Sequence, residues 1–407
     1  LHPPAITSAR RRCRLTLATT LALCAAGAFA GSASAAPAPV KGPKGANFYT
    51  PPKHLPKGHG ALIWERKAKG LTPIDGAASN TLVLYTSKTP QGKTTAVSGI
   101  VSVPPGKPPK GGWPVISYAH GTTGNADSCA PTRAVATDPV AGYITYIDPE
   151  LQAWIQAGYA VVRTDYQGLG TPGPHPYLIG EAEGRGVVDI VSAARTVDPA
   201  IGRRYLISGH SQGGQSALFA AGLANQYAPK LKLAGTVAYA PASHIREQAD
   251  LLPALTMPSA LSALAALIVN GAASQSTAIV IPQLLSDPAL ALYPQTDQTC
   301  LPQLSEPDSF GGMPPNQLVR DGADTGPLYS VLVGENPDVA TTEPILLLQG
   351  ASDTTVFPFL TDKLATELVA HGDQVTYSTY PGVDHGGIPA ASEAEALAFM
   401  QAQLPPK

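Results

Sequence analysis

Residues 205–214 read Tyr-Leu-Ile-Ser-Gly-His-Ser-Gln-Gly-Gly, a short apolar run that breaks into Gly-x-Ser-x-Gly. Such a run reads as a sharp strand-to-helix turn with Ser211 at its apex. Glycine is required at 209 and 213 because a Cβ at either place would strike the neighbouring strand or helix. In a chain with 40 glycines an ordinary glycine-rich turn can carry the same five letters, so the flanking pattern has to decide.

That pattern is one of alternation. Two β-type segments, Thr81 to Ser87 and Thr95 to Val103, flank Pro90-Gln91-Gly92 and read as an antiparallel opening. Short apolar or β-rich runs then recur at Val115 to Tyr118, Tyr159 to Thr164, Tyr205 to Ser208, Thr236 to Tyr239, Ile345 to Leu348 and Val375 to Tyr380. Helical stretches near 148–157, 179–196, 212–226 and 357–371 separate most of them, and a last helix near 391–403 closes the series. Such alternation predicts an α/β fold: a mostly parallel sheet with helices on both faces, its chemistry beyond the carboxyl ends of the strands. One stretch breaks the rhythm. Residues 243–340 read as an inserted, mainly helical cap, dividing the core into a first part over 72–242 and a second over 341–407. No charged residue occurs from Leu251 through Ser286, so this segment must bury against its own core or an apolar ligand. Pro258, Asn270, Gly271 and Gln275 interrupt every stretch long enough to span a bilayer.

At the other end, Arg10, Arg11, Arg12 and Arg14 precede an uncharged apolar run to about Ala30, and Ala33-Ser34-Ala35 supplies small residues for cleavage. Residues 1–36 therefore read as a signal peptide and the mature chain as secreted. The formal net charge is −2, and cleavage removes four arginines and no acid, which argues against a nucleic-acid partner. Residues 37–71 form a Pro/Gly/Lys-rich arm in which seven basic side chains face only Glu65. Cleavage also leaves just Cys129 and Cys300, which most simply pair in an oxidising compartment; two separately buried thiols are the alternative. Neither pattern resembles a metal site.

A serine hydroxyl needs an imidazole within hydrogen-bond reach, and that imidazole needs a carboxylate to fix its tautomer. His385 lies in a glycine-rich loop directly after the last expected strand, unlike His371 at a helix end or His175 between prolines. Asp353 follows the Ile345 to Leu348 run by a short loop, which makes it the acid. Asp384 adjoins the histidine but points oppositely in an extended loop, and Asp373 sits at a helix-to-strand turn. One oxyanion donor is the backbone N–H of Gln212, after the nucleophile. The second is placed in His120-Gly121-Thr122-Thr123-Gly124, at Thr123 with Thr122 as alternative.

The run Arg163-Thr164-Asp165-Tyr166-Gln167-Gly168-Leu169-Gly170-Thr171-Pro172-Gly173-Pro174-His175-Pro176-Tyr177 resembles a signature of the secretory lipases, the lipase-A-like branch of the α/β-hydrolases in fungi and actinobacteria. Gly209-His210-Ser211-Gln212-Gly213, the His120 loop and Cys129-Ala130-Pro131 extend the resemblance over roughly 48–403. It implies an α/β-hydrolase fold with a helical cap between nucleophile and acid. The family's triad falls on Ser211, Asp353 and His385, its oxyanion donors on Thr123 and Gln212, and its cap disulfide on Cys129 and Cys300. Some fungal members carry an acidic residue where Thr123 stands. The implied activity is a secreted serine lipase or carboxylesterase; the triad chemistry needs no metal or organic cofactor, the uncharged cap suits small-molecule or lipid esters with an apolar acyl part, and the chain is expected to be a monomer. Polyester or bulky-alcohol esters extend that reading. Two others are a secreted peptidase, using Glu181 or Glu183 to hold a peptide amine, and a non-catalytic binding module.

Overall fold

The computed structural model describes residues 40–406. The signal-peptide reading of residues 1–36 lies outside them. Nine strands are found among the described residues: β1 (Leu62–Lys67), β2 (Ser79–Lys88), β3 (Thr94–Val103), β4 (Trp113–Ala119), β5 (Ala160–Thr164), β6 (Ile201–His210), β7 (Lys232–Tyr239), β8 (Ile345–Gly350) and β9 (Val375–Tyr380). They make one sheet in the order β1-β2-β3-β5-β4-β6-β7-β8-β9. Pairing is antiparallel from β1 through β3 to β5 and parallel from β5 onward.

Each central strand is apolar on both sides because both of its faces are covered. Side chains alternate across the sheet. Val115, Tyr205 and Ile207 therefore pack with the helix Gly180–Val197, while their neighbours Ile116 and Leu206 pack with the helices Asp148–Gln156 and Ile388–Gln403. The same split recurs in β8. Leu346 and Leu348 join the second layer, and Ile345 and Leu347 meet Leu364 and Leu368 of the helix Pro358–Ala370.

The sheet opens one strand earlier than the alternation predicts. β1 lies inside the stretch read as an arm, pairs antiparallel with β2, and holds Lys41 beside Glu65 at 2.5 Å. Its Leu-Ile-Trp-Glu-Arg-Lys sequence hides a strand because an edge strand tolerates charged residues: Glu65 is buried beside Lys41, and Lys67 is exposed.

The long connection between β7 and β8 contains the helices Ile245–Leu251, Leu261–Ala273, Asp287–Leu292 and Gly326–Leu332, among other short turns. Its apolar residues form a core of their own, with Ala263, Ala266, Leu267, Leu304 and Phe310 fully buried and Tyr177 and Leu178 contributed by the sheet domain. Among the described residues no helix is long and apolar enough to cross a membrane. Gly271 has no room for a side chain, because a Cβ there would stand 2.4 Å from the Tyr177 carbonyl oxygen. Cys129 and Cys300 are joined, with Cα atoms 5.4 Å apart, so the segment after β4 is tied to the insertion across 171 residues.

Candidate active site

Ser211 stands between β6 and the helix Gln212–Tyr227 with φ +60° and ψ −116°, a conformation L-residues adopt only when the surroundings enforce it. Those surroundings are the two glycines. A Cβ on Gly209 would lie 2.0 Å from the Gly213 carbonyl oxygen, and one on Gly213 would lie 1.9 Å from that of Ala119 at the end of β4. The elbow is clamped further by Ser211 N–H donating to Tyr239 O at 2.9 Å and Ala242 N–H donating to Ser211 O at 3.1 Å.

The tertiary structure brings the three widely separated side chains together. His385 Nε2 lies 2.9 Å from Ser211 Oγ, and His385 Nδ1 lies 2.7 Å from Asp353 Oδ2. The Asp353 carboxylate is buried and held from every side: Oδ1 accepts from Thr355 N–H at 2.8 Å and Val356 N–H at 2.9 Å, and Oδ2 accepts from Gln349 Nε2 at 3.0 Å. The rival acids have other tasks. Asp384 accepts from Gly387 N–H and Asp373 from Thr341 N–H.

Gln212 opens its helix, so its N–H has no acceptor within that helix. Thr122 lines both cavities that reach Ser211, and its Oγ1 lies 2.6 Å from the Tyr177 hydroxyl. Thr123 sits behind it. Its hydroxyl is buried without a partner among the described residues, and its carbonyl accepts from Leu301 N–H beside the disulfide. The 120–124 loop is further held by Tyr166 OH donating to His120 O at 2.8 Å and by Asn125 Nδ2 on Asn270 Oδ1 at 2.8 Å.

Two groups occupy places that sequence reasoning did not assign to them. The first is Glu183, fully buried under the elbow. Its Oε1 accepts from Gln212 Nε2 at 2.7 Å and Leu178 N–H at 2.9 Å, and Oε2 lies 2.5 Å from Ser216 Oγ, which donates to Gln212 O. His175 completes the cluster: burial pushes its pKa down to about 4, so its neutral Nε2 can accept from Gln212 Nε2. The signal available in the sequence was the helical spacing that puts Glu183 on one face with Val187, Ile190 and Ala194. The second is His210, whose signal was only its place before the nucleophile.

Burial pushes the Glu183 carboxyl up to about 8, against roughly 4.3 for an unperturbed glutamate, so the folded state holds this proton more tightly than the unfolded chain. The stability this contributes is complete below the unfolded value and is lost as pH rises toward about 8. Glu183→Gln preserves the bonding of the protonated carboxyl. Its Tm is therefore expected to match the parent at about pH 4 and below and to exceed it increasingly from there up to about pH 8; a Tm difference that does not change with pH would show that the group is ionised throughout.

Two cavities meet at Ser211. One, of about 280 Å³, runs into the insertion between Leu252, Leu264, Ile268, Leu318, Leu328 and Phe357. The other, of about 580 Å³, opens on the His385 side past Pro139, Tyr143, Tyr146 and His210. Neither is lined by Glu181 or Glu183. Glu181 is instead paired with Arg185 one turn along its helix.

Residues 140–304 match the secretory lipase family. This match includes Ser211 and ends before Asp353 and His385. Lipase A of Moesziomyces aphidis is 29% identical over 197 residues, which is 46% of this chain, and the chain spans only 41% of that relative's length. Among solved structures, Candida antarctica lipase A in its closed state superposes with a TM-score of 0.75 at 21% identity, covering 87% of this chain and 84% of that one. The rice cell wall degrading esterase LipA from Xanthomonas oryzae gives 0.68 at 18% identity, covering 85% and 98%. The resemblance to the secretory lipases therefore stands, and the fold is that of the α/β-hydrolases.

Proposed function

We propose that this chain is a secreted serine hydrolase that cleaves carboxylic esters with an apolar acyl part, such as acylglycerols. The observation that carries this reading is the continuous Ser211–His385–Asp353 hydrogen-bond path at the mouth of an apolar cavity. His385 Nε2 takes the proton as Ser211 Oγ attacks the ester carbonyl carbon, and the imidazolium is stabilised by Asp353. The tetrahedral oxygen is held by Gln212 N–H and by a second backbone donor from the 122–123 loop, where Thr122, which lines both cavities at Ser211, takes precedence over Thr123 behind it. His385 then protonates the departing alcohol, and the acyl group stays on Ser211. Water activated by the same imidazole releases the acid. Every step uses side chains and backbone of the chain itself.

Residues 243–340 act in this reading as a cap, its buried cavity taking the acyl chain while the wider cleft takes the alcohol. That width also accommodates bulky alcohols and polyester segments. A peptidase needs a carboxylate for the peptide amine, and the two glutamates considered for that role face away from the cavities. Purified protein is expected to hydrolyse p-nitrophenyl esters and to leave a peptide p-nitroanilide intact; turnover of the amide alone would reverse the assignment. Ile268→Trp, which fills the acyl cavity, should lower kcat/KM for the palmitate ester by about tenfold or more while leaving the acetate ester near the parent value. An equal effect on both chain lengths would place the acyl group elsewhere.

A further inference from the structure

We propose that His210 is a positioning residue that seats His385 against the nucleophile through a one-way hydrogen-bond chain. The inference rests on the catalytic reading above.

His210 is the last residue of β6 and is buried directly before Ser211. Its Nε2 lies 2.9 Å from the main-chain oxygen of His385. A carbonyl only accepts, so Nε2 carries the proton and Nδ1 keeps its lone pair. Nδ1 in turn lies 2.7 Å from the Tyr146 hydroxyl, which must therefore donate. The Tyr146 oxygen then accepts from the Tyr118 hydroxyl at 3.2 Å. The direction of every bond follows from that one carbonyl: Tyr118 to Tyr146 to His210 to His385 O.

The chain joins β4, the segment ahead of the helix Asp148–Gln156, the nucleophile strand and the histidine loop. That loop needs an external hold because Gly382, Gly386 and Gly387 leave its backbone permissive. The two imidazoles are also adjacent, their ring centroids 4.7 Å apart. A protonated His210 would present a second N–H to the Tyr146 hydroxyl and a second cation to the imidazolium formed in each cycle. Burial first, and His385 second, hold the His210 pKa well below the ordinary value, which keeps the ring neutral. The titratable groups around this path are Tyr118 and Tyr146, with Glu150 behind Tyr146, and His385, with Asp353 on its far side.

The tautomer is testable without any substrate. In ¹⁵N-histidine-labelled protein, His210 should show a protonated Nε2 and an unprotonated Nδ1 unchanged from about pH 5 to pH 9. A proton on Nδ1, or a titration within that range, overturns the proposal. In kinetics on p-nitrophenyl butyrate, His210→Phe keeps the ring contact and removes the donor. It should lower kcat by about 10- to 100-fold with KM near the parent value, and shift the acid limb of the kcat/KM profile. His210→Gln, whose amide can donate to the same carbonyl, should recover most of the loss. Parent kcat and an unmoved acid limb in His210→Phe overturn the proposal. So do equal losses in both variants accompanied by equal drops in Tm, since these report structure alone. Parent turnover and Ser211→Ala in the same assay report separately on the catalytic reading, which can fail while the tautomer is observed as described.

Discussion

Ser211→Ala is expected to lower kcat/KM on p-nitrophenyl esters by about 10⁶-fold and to abolish covalent labelling by a fluorophosphonate. The loss should be this large because among the described residues no second hydroxyl takes part in the path from Asp353 through His385; Thr122, a hydroxyl that lines both cavities, is engaged with Tyr177. The variant should fold as the parent does. Alanine differs from serine by one oxygen, and the φ of +60° is set by the contacts of Gly209 and Gly213, which the substitution leaves in place. Labelling that persists in Ser211→Ala protein with unchanged Tm would remove Ser211 as the nucleophile.

Asp353→Asn is expected to cost about 10⁴-fold in kcat at neutral pH. Four donors converge on this carboxylate: Thr355 and Val356 N–H on Oδ1, Gln349 Nε2 and His385 Nδ1 on Oδ2. An asparagine offers one acceptor and one donor group. Turned one way, its NH₂ meets the two backbone donors. Turned the other, it meets Gln349 and His385, and the imidazole must put its proton on Nε2, where it can no longer accept from Ser211. Fluorophosphonate labelling should slow in parallel with turnover. Asp384→Asn is the control, since its side chain caps Gly387 and touches neither Ser211 nor Asp353. It should stay within a few-fold of the parent, and a drop as deep as that of Asp353→Asn would move the acid to 384.

Much of this site was legible in the residue order. The elbow could be read from Gly209, Ser211 and Gly213 because its geometry tolerates no Cβ, so the constraint is written as missing side chains. The loops that carry Asp353 and His385 could be located because each follows a short strand-forming run, the continuously apolar Ile345 to Leu348 and the β-rich Val375 to Tyr380. Other parts left no such record. β1 was lost in a basic segment, since an edge strand need not be apolar. In the 120–124 loop, neighbouring threonines of identical chemistry are told apart only by which one faces the cavities.

The hydrophobic alternation and the glycine spacing were sufficient, on their own, for the layered sheet, the position of the elbow and the existence of an apolar insertion, because these follow from local sterics and from burial along one element at a time. What packing alone decided is everything that depends on two elements meeting: the 2.9 Å approach of His385 to Ser211, the buried Glu183 beneath Gln212, the cavity that ends at the hydroxyl, and the tautomer of His210. Those are relations between atoms far apart in the chain. A directional hydrogen bond reads distance and angle, and neither is encoded by the spacing of residues along one strand.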